Sequence, residues 1–339
     1  MNIAIIYHSA DWDGKLSNEV CRFHLAKQYP NATISSIGWD YGQPVPVPPN
    51  RCDPLFGGPP TSDWSTYDQI YMVDLCIDSL MADEEIQKKL IWIDHHASAI
   101  EKWSTPMPFD GEYHPDNPVG TRSQFRGFRI DGVAACRLCW QWFTYDSNEP
   151  LTKALFLNRE VTEPELIRLA GEYDVFDHRD DRALPLQFGL TALSDTDLQS
   201  LIHWQFDNNG DFALGAATAN GRLIKAYIDK RNAEHALANA VTVKLSGLTF
   251  CCLNVGQRGN SLMFTAALKD EHQACLAWRH TSKAVSVSLY GIPGKSTDGI
   301  LEIAQSFGGG GHKGACGFRI AMEEMAKILD GKLAERTTK

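Results

Sequence analysis

The apolar run Leu90, Ile91, Trp92, Ile93 stops abruptly at Asp94-His95-His96, and this change constrains the fold more than any other feature of the chain. Two further runs stop the same way: residues 2–7 lead into Asp11-Trp12-Asp13-Gly14, and residues 69–73 into Asp74. Apolar runs of this length, bounded by polar residues, read as buried strands. A parallel sheet gathers the carboxyl ends of its strands along one edge, and the functional crevice of an open α/β sheet lies outside those ends. The acids are therefore expected to converge, and Asp174, in Gly171-Glu172-Tyr173-Asp174, is expected to join them in the same layout.

The intervening sequence suits the α/β class. Residues 15–29 read as an amphipathic helix and 33–38 as a second strand, which makes a βαβ opening. Residues 44–60 hold too many prolines for a regular element and read as a long surface loop. Helices are expected over 83–89, 133–143 and 163–172, the last leading into Asp174. The alanine-rich stretch 212–240 carries no chemical motif and reads as a helical connection between two domains. Beyond it, strands are expected at 248–254, 274–279 and 284–290, with helices at 261–269, 299–307 and 322–335.

Composition narrows the function classes. A net charge of -10 argues against a protein that coats long nucleic acid, because such binding rests on basic surface neutralising phosphates. Short substrates stay open, since a bound cation supplies positive charge locally. The start MNIAIIYHSADWDG has neither the basic beginning nor the cleavage site of a signal peptide, and no run approaches transmembrane length. Nine cysteines without regular spacing fit reduced thiols, so a cytoplasmic location with no membrane partner is expected. Cys251-Cys252 reads as ordinary packing rather than a redox pair.

Together, Asp11-x-Asp13-Gly14, Asp74, Asp94-His95-His96 and Asp174 resemble the motifs of the DHH phosphoesterase superfamily. At the far end, Gly308-Gly309-Gly310-Gly311-His312 followed by Ala315-Cys316-Gly317-Phe318 resembles the glycine-rich signature of the associated DHHA1 domain. The two signatures stand in the expected order and cover most of the chain. The resemblance implies an amino-terminal parallel-sheet DHH domain that binds metal and carries catalysis, at 1–210. A helical linker at 211–240 and a smaller carboxyl-terminal α/β DHHA1 domain that binds substrate, at 241–339, would follow.

Carboxylates mixed with imidazoles suit manganese, magnesium, iron or zinc better than a thiolate site would. By resemblance, two divalent ions are expected, manganese first and magnesium as the alternative. His8, Asp11 and Asp74 would hold one, and Asp13, Asp74, His95 and Asp174 the other, with Asp74 as the bridge. Asp94 is expected to orient an imidazole rather than to ligate, and His96 to touch the scissile phosphate or assist proton transfer. Gly308 to Gly311 and His312 would hold the substrate, through backbone N–H groups near phosphate and a ring against a base. Alternatives stay open at this stage. His8 also reads as a structural histidine, Asp177, His178, Asp180 and Asp181 compete with Asp174, and Asp78 competes with Asp74. Singly, an Asp-x-Asp-Gly most often caps a helix or makes a turn.

One departure matters for substrate. Where the family often has Ser-Leu-Arg, this chain reads Ser288-Leu289-Tyr290, which leaves Arg279 or Arg258 to replace a phosphate-binding arginine. Arg122, Arg126 and Arg129 form a basic cluster that reads either as phosphate contacts or, more commonly, as solvated loop arginines. Gly291 to Ser296 lacks the first glycine of a phosphate loop, because residue 289 is leucine. The expected activity is hydrolysis of phosphoester bonds in short oligonucleotides or nucleotide 3′-phosphates. Alternatives are a cyclic or linear dinucleotide phosphodiesterase, a single-strand exonuclease, and a nucleotide-binding sensor without turnover. Short oligonucleotides or nucleotides are the expected partners, and a homodimer is compatible with the sequence.

Overall fold

A computed structural model describes residues 1–48, 64–103, 125–208, 211–256, 261–282 and 284–332. Most of the expected loop at 44–60, together with Arg122 and Arg258, lies outside the described residues. The chain divides into two compact units, Met1–Arg222 and Leu223–Lys339.

The first unit opens with β1 (Asn2–His8), α1 (Trp12–Gln28), β2 (Thr33–Trp39) and β3 (Gln69–Val73). Two short helices, α2 (Asp78–Met81) and α3 (Glu84–Gln87), lead to β4 (Leu90–Ile93) and α4 (Ala97–Trp103). The four strands form a sheet in the order β2-β1-β3-β4, with every pair parallel. Side chains alternate across it. Ile3, Ile5, Tyr71, Val73, Ile91 and Ile93 enter one core, whereas Ala4, Ile6, Ile70, Met72, Leu90 and Trp92 enter another on the opposite face. Burial on both faces explains why these strands read as continuous apolar runs rather than alternating ones. Burying one such side chain contributes roughly 1.5–3 kcal/mol.

The larger core is closed by α5 (Ala135–Thr144), α6 (Lys153–Leu157), α7 (Glu165–Asp174), α8 (Ala183–Ala192) and α9 (Asp195–Asn208). The 29-residue helix α10 (Asp211–Asn239) fills the expected connection, but its beginning belongs to the first unit. It packs against α8 at two glycines: a Cβ on Gly189 would lie 2.0 Å from the Ala217 carbonyl oxygen, and one on Gly221 would lie 1.9 Å from that of Pro185. Residues 211–222 are therefore a docked helix rather than a free linker.

The second unit carries β5 (Val241–Leu245), β6 (Leu248–Asn254), β7 (Ala274–His280), β8 (Val285–Gly291), α11 (Ile300–Ser306), β9 (Gly310–His312), β10 (Ala315–Ile320) and α12 (Met322–Leu329). Its sheet runs β5-β6-β7-β8-β10-β9, antiparallel except for the parallel pair β6 and β7. A 3-10 helix, Ser261–Ala267, stands in the crossover where an α-helix was expected. Cys251 and Cys252 point into different cores, as successive strand residues must, and neither forms a disulfide. The last helix stops before the expected 335, because Gly331 turns the chain at φ +66°.

The four glycines are not a loose loop. Gly310–His312 pairs with β10, and a Cβ on Gly309 would lie 2.0 Å from the Gly317 carbonyl oxygen. Gly308 and Gly311 adopt φ of 74° and 137°, which favour glycine. Close packing of the hairpin thus accounts for much of the run. Among the described residues, no helix is long and apolar enough to cross a membrane.

Candidate metal centre

Three crossings from strand to loop build the site. After β1 the chain passes from His8 to Asp11, which caps α1 by accepting a hydrogen bond from the Gly14 N–H at 3.1 Å. Gly14 is required here by space, since a Cβ would fall 2.0 Å from the His8 carbonyl oxygen. This close approach lets Asp11 and Asp13 turn back toward the ends of the neighbouring strands. Asp13 is buried, and both its oxygens accept backbone hydrogen bonds at the amino terminus of α5, from Ala135 at 2.8 Å and Cys136 at 2.7 Å. A helix amino terminus favours an anion, so α5 holds this carboxylate in place.

Asp74 follows β3 with φ at 59°, a left-handed conformation that a non-glycine residue adopts at a cost of about 1–2 kcal/mol. Its N–H donates to the Ile93 carbonyl at 2.9 Å, which pins that turn to β4. The side chain is buried, and Oδ1 accepts no well-directed hydrogen bond, although His95 Nε2 lies 3.3 Å away. A buried carboxylate oxygen without such a bond is costly unless a cation or proton satisfies it.

After β4, buried Asp94 gathers four donors. Trp92 Nε1 lies 3.3 Å away, the backbone N–H groups of His95 and His96 lie 2.7 and 3.2 Å away, and His96 Nδ1 lies 2.7 Å away. A carboxylate only accepts, so Nδ1 of His96 carries a proton toward Asp94. Asp94 therefore fixes the turn and the His96 ring together.

The side chains converge as follows. His8 Nδ1 lies 2.8 Å from Asp11 Oδ2 and 3.4 Å from Asp74 Oδ2. His95 Nε2 lies 3.3 Å from Asp74 Oδ1, 3.4 Å from Asp174 Oδ2 and 3.5 Å from Asp13 Oδ2. Two groups of potential ligands result, His8 with Asp11 and Asp74, and Asp13 with His95 and Asp174. Asp74 stands between them, one oxygen toward each imidazole. His96 also comes within ligand range of Asp74 and His95, so geometry alone permits it in either role.

The electrostatics are those of crowded anions. Burial, and then the Asp13 charge, push Asp74 and Asp174 well above the usual carboxylate range. Burial disfavours a charged His8, but hydrogen bonds and charges from Asp11 and Asp74 outweigh it and raise the imidazole to about 11. Burial likewise opposes charge on His96, and the hydrogen bond to Asp94 overcomes it, raising that ring. Divalent cations would relieve the repulsion and satisfy Asp74 Oδ1, so these residues fit a metal.

Asp174 differs from the strand-end layout expected for it. It is the last residue of helix α7, and its carboxylate reaches the site from the helix end. Its rivals are engaged elsewhere: Asp177 with Arg179, Asp180 with Arg168 and Arg182, and Asp181 near Arg222 on the surface. His178 packs edge-on against Phe176, and Asp78 binds Trp103 and Lys102. Arg129 is neither solvated nor free for phosphate, because its buried guanidinium donates to the carbonyls of Trp92, Phe125 and Arg126.

No family model matches the chain, and no curated protein matches it. Solved structures similar to it include the pGpG-specific phosphodiesterase PggH from Vibrio cholerae, at 13% identity and TM-score 0.46, covering 97% of each chain. An exopolyphosphatase-related protein from Bacteroides fragilis is similar at 14% identity and TM-score 0.44, covering 98% of this chain and 91% of that one. A manganese-bound exonuclease RecJ is similar at 14% identity and TM-score 0.42, covering 98% and 89%. Likenesses this distant leave the chemistry to the residues of the site.

Two site residues escaped sequence reading. Asp40, directly after β2, lies 3.4 Å from His8 Nε2 and obeys the same strand-then-acid layout as Asp74 and Asp94, so that layout could have found it. Tyr41 sets its ring edge-on to both His8 and His96, at 5.7 and 6.4 Å between centroids, and its hydroxyl accepts from the Cys76 N–H. No local signal marks it.

Proposed function

We propose that this chain is a metal-dependent phosphoesterase of the DHH/DHHA1 type acting on short oligonucleotides or nucleotides. The observation that carries the reading is Asp74: a buried carboxylate, held in a left-handed turn, with one oxygen 3.4 Å from the His8 imidazole and the other 3.3 Å from that of His95. His8, Asp11 and Asp74 would hold one ion, and Asp13, Asp74, His95 and Asp174 the second. Such cations, when bound, would supply a water nucleophile at neutral pH and offset charge on the phosphate oxygens.

The residues of the chain do the rest. Asp94 accepts from His96 Nδ1–H and favours the imidazolium, whose Nε2–H can then bond a phosphate oxygen or protonate the leaving oxygen. Asp13, clamped by the α5 amino terminus, keeps its geometry without reorganisation as charge develops. Gly308 to Gly311 and His312 hold the nucleotide end of the substrate; this assignment rests on the sequence resemblance. Net negative charge supports a short substrate over a long one.

The test is a hydrolysis panel of di- to decanucleotides, cyclic dinucleotides and 3′-phosphoadenosine 5′-phosphate, with manganese or magnesium added. Cleavage of short linear substrates that stops in excess chelator is expected. Turnover that persists without metal, or no turnover of any member with metal bound, would overturn the proposal, the latter in favour of a nucleotide sensor.

A further inference from the structure

The elements that build the metal centre build a second concavity at their other ends. β3 reaches Asp74 at its carboxyl end and starts at Gln69, roughly 16 Å away at about 3.3 Å per residue. α1 starts beside Asp11 and Asp13 and ends past His24 and Lys27. α5 starts on Asp13 and ends at Trp142 and Phe143. These far ends, with Arg126, line a cavity of about 540 Å³. That volume lies within the range of small-molecule sites, about 300–1,000 Å³. None of its lining residues belongs to the metal centre.

Its chemistry is specific. His24 Nε2 and Gln69 Oε1 are both buried without a hydrogen-bond partner, two of only a few such atoms among the described residues. Polar groups of a ligand would make the hydrogen bonds that these two atoms lack. Burial and the neighbouring Lys27 push the His24 imidazole down to about 4, so it is neutral and offers one donor and one acceptor. Its ring stacks on Phe143 at 4.8 Å with planes 5° apart, which fixes its orientation. Cations stand nearby. Lys27 is bound to Asp207, whereas Arg126 is exposed, lies 6.0 Å from the Trp142 ring centroid, and pairs with no acid among the described residues. An aromatic wall, neutral hydrogen-bonding groups on its floor and a guanidinium at its rim together match a flat heterocycle that carries a phosphate.

We infer that this cavity, at the end of the amino-terminal sheet remote from the metal centre, is a second binding site for a nucleoside monophosphate. The Arg126 guanidinium takes the phosphate, Trp142 contacts the base, and Gln69 and His24 read its edge. The site does not depend on hydrolysis at the metal centre, so the two readings can fail separately.

The test is calorimetric titration of the full chain with AMP and GMP in excess chelator, which removes metal-assisted binding at the other site. Saturable binding of one nucleotide per chain is expected, with adenosine and inorganic phosphate each at least roughly tenfold weaker. Arg126→Gln should weaken AMP about tenfold while manganese binding stays unchanged. Gln69→Leu should weaken it similarly without lowering the melting temperature, because the amide oxygen it removes has no partner to lose. No saturable binding of either nucleotide, or equal binding by wild type and both variants, would overturn the assignment. Phosphate binding as tightly as AMP would also overturn it, leaving an anion site without base recognition.

Discussion

His96 and His95 are adjacent in sequence and do different work. His95 Nε2 faces three carboxylates, whereas His96 gives its Nδ1 proton to Asp94. Removing His96 should therefore leave the acids that hold metal in place. His96→Ala is expected to lower kcat by about 10²–10⁴, the usual span for a general acid or base, with manganese content by elemental analysis close to wild type. Parallel loss of metal and activity would make His96 a ligand, as its distance to Asp74 and His95 allows. At this scale the sequence was informative wherever an acid or imidazole ended an apolar run. It was silent on donors from backbone: nothing in Ala135 or Cys136 announces that their N–H groups clamp Asp13, because that contact joins residues 122 and 123 positions apart.

Among the elements, α7 has the most exacting task, since its last residue is Asp174. A mesh of ion pairs holds it: Glu172 is buried and bound by Arg159 and Arg168, and Asp180 binds Arg168 and Arg182, the latter also bound to Glu165. The hydrogen bond from Arg182 leads the interactions that hold Asp180 well below the usual carboxylate range. A carboxylate with a depressed folded-state pKa stabilises the protein above its unfolded value, about 4, and that stability is lost as pH falls through the folded value. The Asp180 side chain is only 10% exposed and accepts from two guanidiniums, so Asp180→Asn should cost about 1–3 kcal/mol at pH 7, less as the solution is acidified below 4. Chemical denaturation at pH 7 and pH 3.5 measures this, and an equal effect at both would contradict the linkage. Helix α7 and its lead into Asp174 were legible, but the helix runs on to include Asp174 itself. The strand-end layout suited the other acids, and only the tertiary fold brings a helix terminus to the same edge. The helix expected over 83–89 is present as α3, started by Asp83, which accepts from Glu85 and Ile86; the short α2 before it was not expected.

Under the proposed function, the first unit would carry the metal chemistry and the glycine hairpin of the second would hold the nucleotide. The parallel sheet and its two cores followed from the apolar runs, because strands buried on both faces cannot alternate. The second sheet was only half legible: β5, β9 and β10 are short or glycine-bearing, and their pairing is set by partners distant in sequence. The glycine run was read as a phosphate cradle, yet tight packing of its hairpin also demands glycine at Gly309 and Gly311. If His312 holds the nucleotide, His312→Ala should raise KM for a dinucleotide by about tenfold and leave cleavage of bis-p-nitrophenyl phosphate nearly unchanged. Loss of remote binding penalises only the substrate able to use it; equal loss on both would place His312 at the reacting phosphate.

The central claim is that Asp74 bridges two metal ions used in phosphoester hydrolysis, and stoichiometry tests it most directly. Asp74→Asn keeps the shape and tolerates the left-handed turn, so it removes charge without disturbing the backbone. Manganese titrated into metal-free protein by calorimetry, with dinucleotide hydrolysis followed on the same samples, should give two ions per wild-type chain. In Asp74→Asn, affinity should fall at both sites and turnover by at least about 10³. Two ions bound as tightly by Asp74→Asn as by wild type, or full turnover by the variant, would contradict the account.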